Sequence, residues 1–168
     1  MSRKLLVDAS VFITLAEINA THLLYELDGE VIISERVADE IEDEPARSRL
    51  EEEAGDRLTF ESAEEKNVEW ASKMLGRDGE PQGDTAILAL ATEHDDAVVV
   101  TDDKPLRNVC KTVGVSLSGS IGVVVASVEK GTLEAEEAKR LLVSMDEVGA
   151  RMSASLLRKA ERLIDEAS

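Results

Sequence analysis

Ala97-Val98-Val99-Val100-Thr101-Asp102-Asp103 decides the fold class: an unbroken apolar run stops abruptly at a hydroxyl and two acids. A valine-rich run of this kind reads as a strand buried on both faces, as a parallel sheet requires. The same pattern recurs on either side of it. Lys4-Leu5-Leu6-Val7 stops at Asp8-Ala9-Ser10, and Val31-Ile32-Ile33 stops at Ser34. Leu58-Thr59-Phe60 and Val115-Ser116-Leu117 are shorter versions. Helical spacing fills the intervals. Ser10 is expected to cap a helix carrying Val11, Ile13, Leu15 and Ile18. Ser34 is expected to cap one from about Glu35 to Asp43, which Pro45 interrupts, and a polar turn follows through Arg49-Leu50-Glu51. Ser62 opens a helix of about fifteen residues with Val68, Ala71 and Leu75 on one face. Gly76 to Gly83 is the clearest loop, and a strongly apolar helix runs from Asp84 to about Glu93. Pro105 suits the first turn of another helix, which stops at Gly114.

Strands alternating with helices predict a three-layer α/β domain with a mainly parallel central sheet over residues 1–118. Residues 119–168 read as a helical extension packed on the same domain. Ile121, Val124, Val125 and Val128 mark its first helix, and Gly131 ends it. Ser153 caps the last helix, where Leu156, Leu157, Ala160, Leu163 and Ile164 form one apolar stripe.

The chain has 168 residues, enough for one closed core, and 43% of them are apolar. Phe12, Tyr25, Phe60 and Trp70 are its whole aromatic set, so the core must be aliphatic. That scarcity also argues against a nucleic-acid platform built on stacking. The net charge of −17 argues against broad electrostatic capture of RNA. Acids spread along the whole chain suggest a surface adapted to concentrated salt, where the Debye length falls to about 3 Å. Cys110 is the only cysteine, which excludes an internal disulfide and a cysteine zinc site. His22 and His94 lie far apart, on polar-flanked positions, and read as ordinary surface or boundary residues. No secretory signal and no apolar run of about 18 residues is present, so a soluble, cytoplasmic protein is expected.

A few acids do not fit a solvated surface. Asp8 ends one apolar strand, and Asp102 and Asp103 end another. In open α/β sheets the ligand crevice lies at the carboxyl ends of strands, so these acids could meet there. Asp84 shares a helix stripe with Ile87, Leu88 and Ala91, where an uncompensated carboxylate costs several kcal/mol. Glu40 falls on one face with Val37 and Ile41. One of Asp102 and Asp103 is expected to be only a helix cap. Acids from four segments, each beside apolar structure, suggest one oxygen-only pocket that suits Mg²⁺ or Mn²⁺ and not zinc. Beside it Lys104, Arg107, Asn108 and Lys111 lie at i, i+3, i+4 and i+7, a basic face where a phosphate backbone could be held.

Four of these motifs, in this order, resemble the PIN-domain signature. They are Asp8-Ala9-Ser10, the run Ser34 to Ile41 with Glu40, the run Gly83 to Ala91 with Asp84, and Val99-Val100-Thr101-Asp102-Asp103. The resemblance covers roughly residues 4–117. It implies hydrolysis of RNA phosphodiesters by one or two Mg²⁺ or Mn²⁺ ions held by Asp8, Asp84 and Asp102 or Asp103. Glu40 would ligate through water or orient the nucleophile, and Ser10 and Thr101 would brace the carboxylates. Val37 to Arg47, with Thr101-Asp102-Asp103 and Asn108-Val109, resembles the archaeal PIN endonuclease that matures small-subunit ribosomal RNA, but the four-cysteine zinc module of that enzyme is missing. Ser118 to Val123 and Gly131-Thr132-Leu133 are similar to a prokaryotic branch often compared with VapC toxins. That likeness implies RNA as substrate, with a small antitoxin-like protein or a second copy of the chain as partner. A non-catalytic PIN-like module that binds RNA or protein is the alternative. A phosphoacceptor receiver domain is disfavoured, since only Asp8 stands where its acidic pair belongs and no lysine ends a late strand.

Overall fold

The computed structural model describes residues 3–150 and 152–168. Five parallel strands form one sheet: β1 (Lys4–Val7), β2 (Glu30–Ser34), β3 (Leu58–Glu61), β4 (Ala97–Val100) and β5 (Ser116–Ser118), in the order β3-β2-β1-β4-β5. Leu5, Leu6 and Val7 are all buried, as are Val31, Ile32 and Ile33. Since neighbouring strand residues face opposite sides, both faces of the sheet are covered, and the architecture is the expected three-layer α/β one. Register pairs Leu6 with Ile32 on one side and with Val99 on the other. Strand order therefore reverses around β1, and the carboxyl ends of β1 and β4 lie side by side.

The helices are α1 (Ala9–Glu17), α2 (His22–Tyr25), α3 (Glu35–Glu40), α4 (Ala46–Glu53), α5 (Glu65–Leu75), α6 (Gly83–Ala91), α7 (Lys104–Val113), α8 (Ser120–Lys130), α9 (Ala135–Met145) and α10 (Ala154–Ala167). A π-helical turn, Asp146–Ala150, follows α9. The apolar helix α6 packs across β2, β1 and β4 and against α3 and α5. Nearly every residue of α6 is buried, which is why its sequence is apolar all round.

Several local expectations change. Asp8, not Ser10, caps α1: its extended backbone (φ −80°, ψ 156°) lets Oδ1 accept from the Ala9 N–H at 2.8 Å. Helix α3 ends at Glu40 instead of Asp43, because Ile41 leaves helical geometry (φ −90°, ψ 85°) to enter the core. Helix α5 begins at Glu65 with Glu64 as cap, and the Ser62 hydroxyl instead donates to Glu35 Oε2 at 2.6 Å. Ser34 and Ser153 cap as expected, accepting from the Arg36 and Leu156 N–H groups.

The residues after Gly119 share the same core. Val123, Val124, Val128, Ala138, Leu142, Met145, Ala160 and Ile164 are buried in one cluster with the strand residues. Helix α8 contacts α1, α2 and β5, and α10 packs on α8 and α9. On α10 the stripe is narrower than its spacing suggested, because Leu156 is exposed.

Candidate functional site

A cavity of about 560 Å³ opens beside the carboxyl end of β1. Asp8, Glu40, Asp84 and Asp103 all line it, so four segments far apart in sequence converge there. Each acid arrives by a different local device.

Asp8 follows the last residue of the central strand and is only 7% exposed. Its Oδ2 accepts the Thr101 hydroxyl at 2.6 Å and the Ser10 hydroxyl at 3.4 Å. Burial pushes the Asp8 carboxyl above its ordinary range, since a buried charge loses its hydration. The Thr101 hydroxyl and the Ala9 N–H pull it back, while the charges of Asp103 and Glu40 push it up further. Asp8 thus sits in a negative field and is held by three donors, the Thr101 hydroxyl just past β4 and the Ala9 N–H and Ser10 hydroxyl of α1.

Glu40, the last residue of α3, is exposed as a whole, yet its carboxylate is fixed. Oε2 accepts the Gly83 N–H at 3.1 Å, a free donor at the start of α6. Glycine leaves room for this bond: a Cβ on Gly83 would displace the Glu40 carboxylate and press within 3.0 Å of Val37 Cγ2. Asp84 stands one residue on. Its Oδ1 accepts the Thr85 N–H at 2.7 Å, and its Oδ2 accepts Arg77 Nε and Nη2 at 3.1 and 2.5 Å. The sequence marks Asp84 as an acid needing compensation, and Arg77 supplies it.

Asp103 both caps α7, accepting the Leu106 N–H at 3.0 Å, and lines the cavity. Asp102 does not line it. Its Oδ1 accepts the Ser120 N–H at 2.9 Å and its Oδ2 the Ser120 hydroxyl, so it is bound to the start of α8. Of the two acids after β4, Asp103 lines the cavity, whereas the Asp102 carboxylate is taken up by Ser120.

The basic face contributes no side chain to the lining of the cavity. Lys104, Asn108 and Lys111 are exposed on α7, and none of them lines it. Arg107 is engaged elsewhere: Nη1 donates to the carbonyls of Thr101 and Ser118 at 2.8 and 2.9 Å, tying the ends of β4 and β5 together. Arg77, Asp78, Glu80 and Gln82, which do line the cavity, escaped the sequence reading. They lie in the Gly76–Gly83 loop, and their only signal was an arginine placed directly after the helix stop at Gly76.

The chain matches the model of the DUF3368 family, described as a PIN domain, over residues 4–166. The chain belongs to the PIN-domain family. That match runs past the stretch that carried the motifs and through most of α10. No curated protein matches the chain. PIN domains are a nuclease-type fold, generally metal-dependent ribonucleases, and typically use divalent ions such as Mg²⁺. The donors of this PIN domain fit such an ion in kind: all are carboxylate oxygens, and the most buried of them has no cationic partner among the described residues. Among the described residues, no three His, Cys, Asp or Glu side chains stand together as a ready-made metal cage. The side chains would have to draw in around the ion, and Arg77 would have to leave Asp84. No helix among the described residues is long and apolar enough to cross a membrane.

Proposed function

We propose that this PIN domain is a divalent-metal-dependent endoribonuclease. The observation that carries the reading is the convergence of Asp8, Glu40, Asp84 and Asp103 on one cavity at the carboxyl end of the central strand. Asp8, Asp84 and Asp103 would hold Mg²⁺ or Mn²⁺, and Glu40, anchored on Gly83, would orient the attacking water or bind the ion through water. A divalent ion supplies polarisation of the scissile phosphodiester and activation of a water at neutral pH. Thr101 and Ser10 keep the Asp8 carboxylate aimed and its lone pairs satisfied, as outer hydrogen bonds do at such sites. RNA is the substrate on this reading, and the exposed Lys104, Asn108 and Lys111 would steady its backbone at a distance from the acids. The toxin-like likeness adds a small partner protein, tested by whether a neighbouring gene encodes one, or a homodimer, tested by sedimentation.

The test is a nuclease assay over several RNA substrates with Mn²⁺ and with Mg²⁺, at low and at molar KCl. Wild type should cleave, and Asp84→Asn should lose cleavage by about 100-fold or more while still binding RNA. Equal cleavage by the Asp84 variant would remove the catalytic assignment. The Arg77–Asp84 ion pair favours a second reading, a module that binds RNA or protein without cutting. RNA binding by wild type with no cleavage under either metal would establish it.

A further inference from the structure

The acidic cavity already contains a cation, and it is a side chain of this chain. Arg77 follows Gly76, whose left-handed φ of 66° ends α5 and turns the chain toward α6. From there the guanidinium reaches over Asp84, whose side chain is 11% exposed while that of Arg77 is 44% exposed. Asp84 and then Asp103 hold Arg77 more firmly protonated, so it lies in the field of two of the four acids. The cavity lining comprises Asp8, Glu40, Asp78, Glu80, Asp84 and Asp103 against one cation, Arg77, among the described residues.

That imbalance sets two requirements. A divalent ion coordinated through Asp84 Oδ2 must displace the guanidinium, which already places two N–H donors on that oxygen. An incoming phosphodiester must then be received by a positive group other than the ion, since the remaining acids outweigh the ion's charge. Arg77 meets both. It is tethered at the cavity mouth by a loop with left-handed glycines at Gly76 and Gly79, and it also borders an adjoining groove of about 970 Å³ where Arg36 and Lys73 stand among a larger number of acids. Its planar fork can grip two phosphate oxygens at once, which a lysine cannot do.

We propose that Arg77 occupies the cation position of this site in the metal-free protein and swings to the substrate's phosphate when a divalent ion takes Asp84. The inference rests on the metal-dependent nuclease reading above. Its signature is a pair of effects of opposite sign. Titration calorimetry with Mn²⁺ alone should find Arg77→Gln binding the ion about five-fold more tightly than wild type, the size expected for loss of a partly exposed ion pair. With Mn²⁺ saturating, binding of a short 2′-O-methyl RNA, followed by fluorescence anisotropy, should weaken about five-fold or more in the same variant. Arg77→Lys should restore the competition with Mn²⁺ and recover only part of the RNA affinity. A residue that merely braced its loop would not shift the two affinities in opposite directions. If wild type binds Mn²⁺ and Arg77→Gln matches it in both titrations, the role given to Arg77 is overturned while the metal site stands. If neither protein binds Mn²⁺, the metal reading falls and takes this inference with it.

Discussion

Asp8 and Gly83 carry the residue-scale consequences. Burial holds the Asp8 carboxyl above its ordinary range, so the fold binds its proton more tightly than the unfolded chain does. An acid shifted upward leaves the fold most stable below the unfolded value, and that advantage is lost as pH rises through the folded value. Asp8→Asn removes the charge for good. The metal-free variant should therefore melt at a higher temperature than wild type at neutral pH, and the gap should close as pH falls into the carboxylate range. The same variant should bind Mn²⁺ far more weakly in calorimetry. Thermal melts showing the variant less stable at neutral pH would contradict the account of Asp8 as a buried, poorly compensated charge. Gly83→Ala presses a Cβ against the Glu40 carboxylate and Val37. We expect a loss of about 1–3 kcal/mol by denaturant unfolding, together with weaker Mn²⁺ binding. Unchanged stability and unchanged Mn²⁺ affinity would mean that Glu40 is not held where its bond to Gly83 puts it.

At the scale of elements, α7 has two unlike faces. Leu106 and Cys110 are buried, while Lys104, Asn108 and Lys111 face out. Arg107 shares their spacing and not their role, because its guanidinium joins β4 to β5. Arg107→Ala should cost about 1–3 kcal/mol by denaturant unfolding, from two carbonyls losing a charged donor. Lys104→Ala and Lys111→Ala should stay within about 0.5 kcal/mol of wild type, as exposed substitutions do. If α7 steadies the RNA backbone, the two lysine changes should still weaken RNA binding, and more so at low salt. Equal RNA affinity in the lysine double variant and wild type at low salt would remove α7 from the binding surface. The spacing puts these four residues on one face of α7, and Arg107 alone among them bends back to the strand ends. Spacing gives the face but not which side chain bends back to the strand ends.

At the scale of the molecule, 36 acids face 19 bases in one chain. The described ion pairs lie largely at exposed positions, such as Arg3–Asp96, Arg140–Glu137 and Arg162–Glu166, where each contributes little. Self-repulsion among the unpaired acids then opposes the compact state, and salt should relieve it. The melting temperature of the full chain should rise from low to molar KCl. A curve that is flat or falls across that range would reject a salt-adapted surface and leave the excess acid to be explained by function. The aliphatic core is continuous from β1 through α10, so unfolding should be a single transition that moves as one with salt.

What the sequence by itself determined was whatever depends on neighbours a few residues apart. The valine run of β4, the apolar stops at Asp8 and Ser34, the breaks at Gly76, Gly114 and Gly131, and the caps at Ser34 and Ser153 all follow from local backbone and side-chain chemistry. Alternating strands and helices then required a parallel sheet, and a parallel sheet brings strand ends together. The tertiary structure alone decided which side chains use that meeting place. Thr101 reaches Asp8 across 93 residues, Glu40 finds its donor at Gly83, and Asp102 turns to Ser120 while Asp103 turns to the acids. Arg77 lies only seven residues before Asp84, yet its position depends on the path of the loop between two helices. Periodicity specifies the direction of a side chain within its own element. The partner waiting there belongs to another element, and only packing fixes the distance between them.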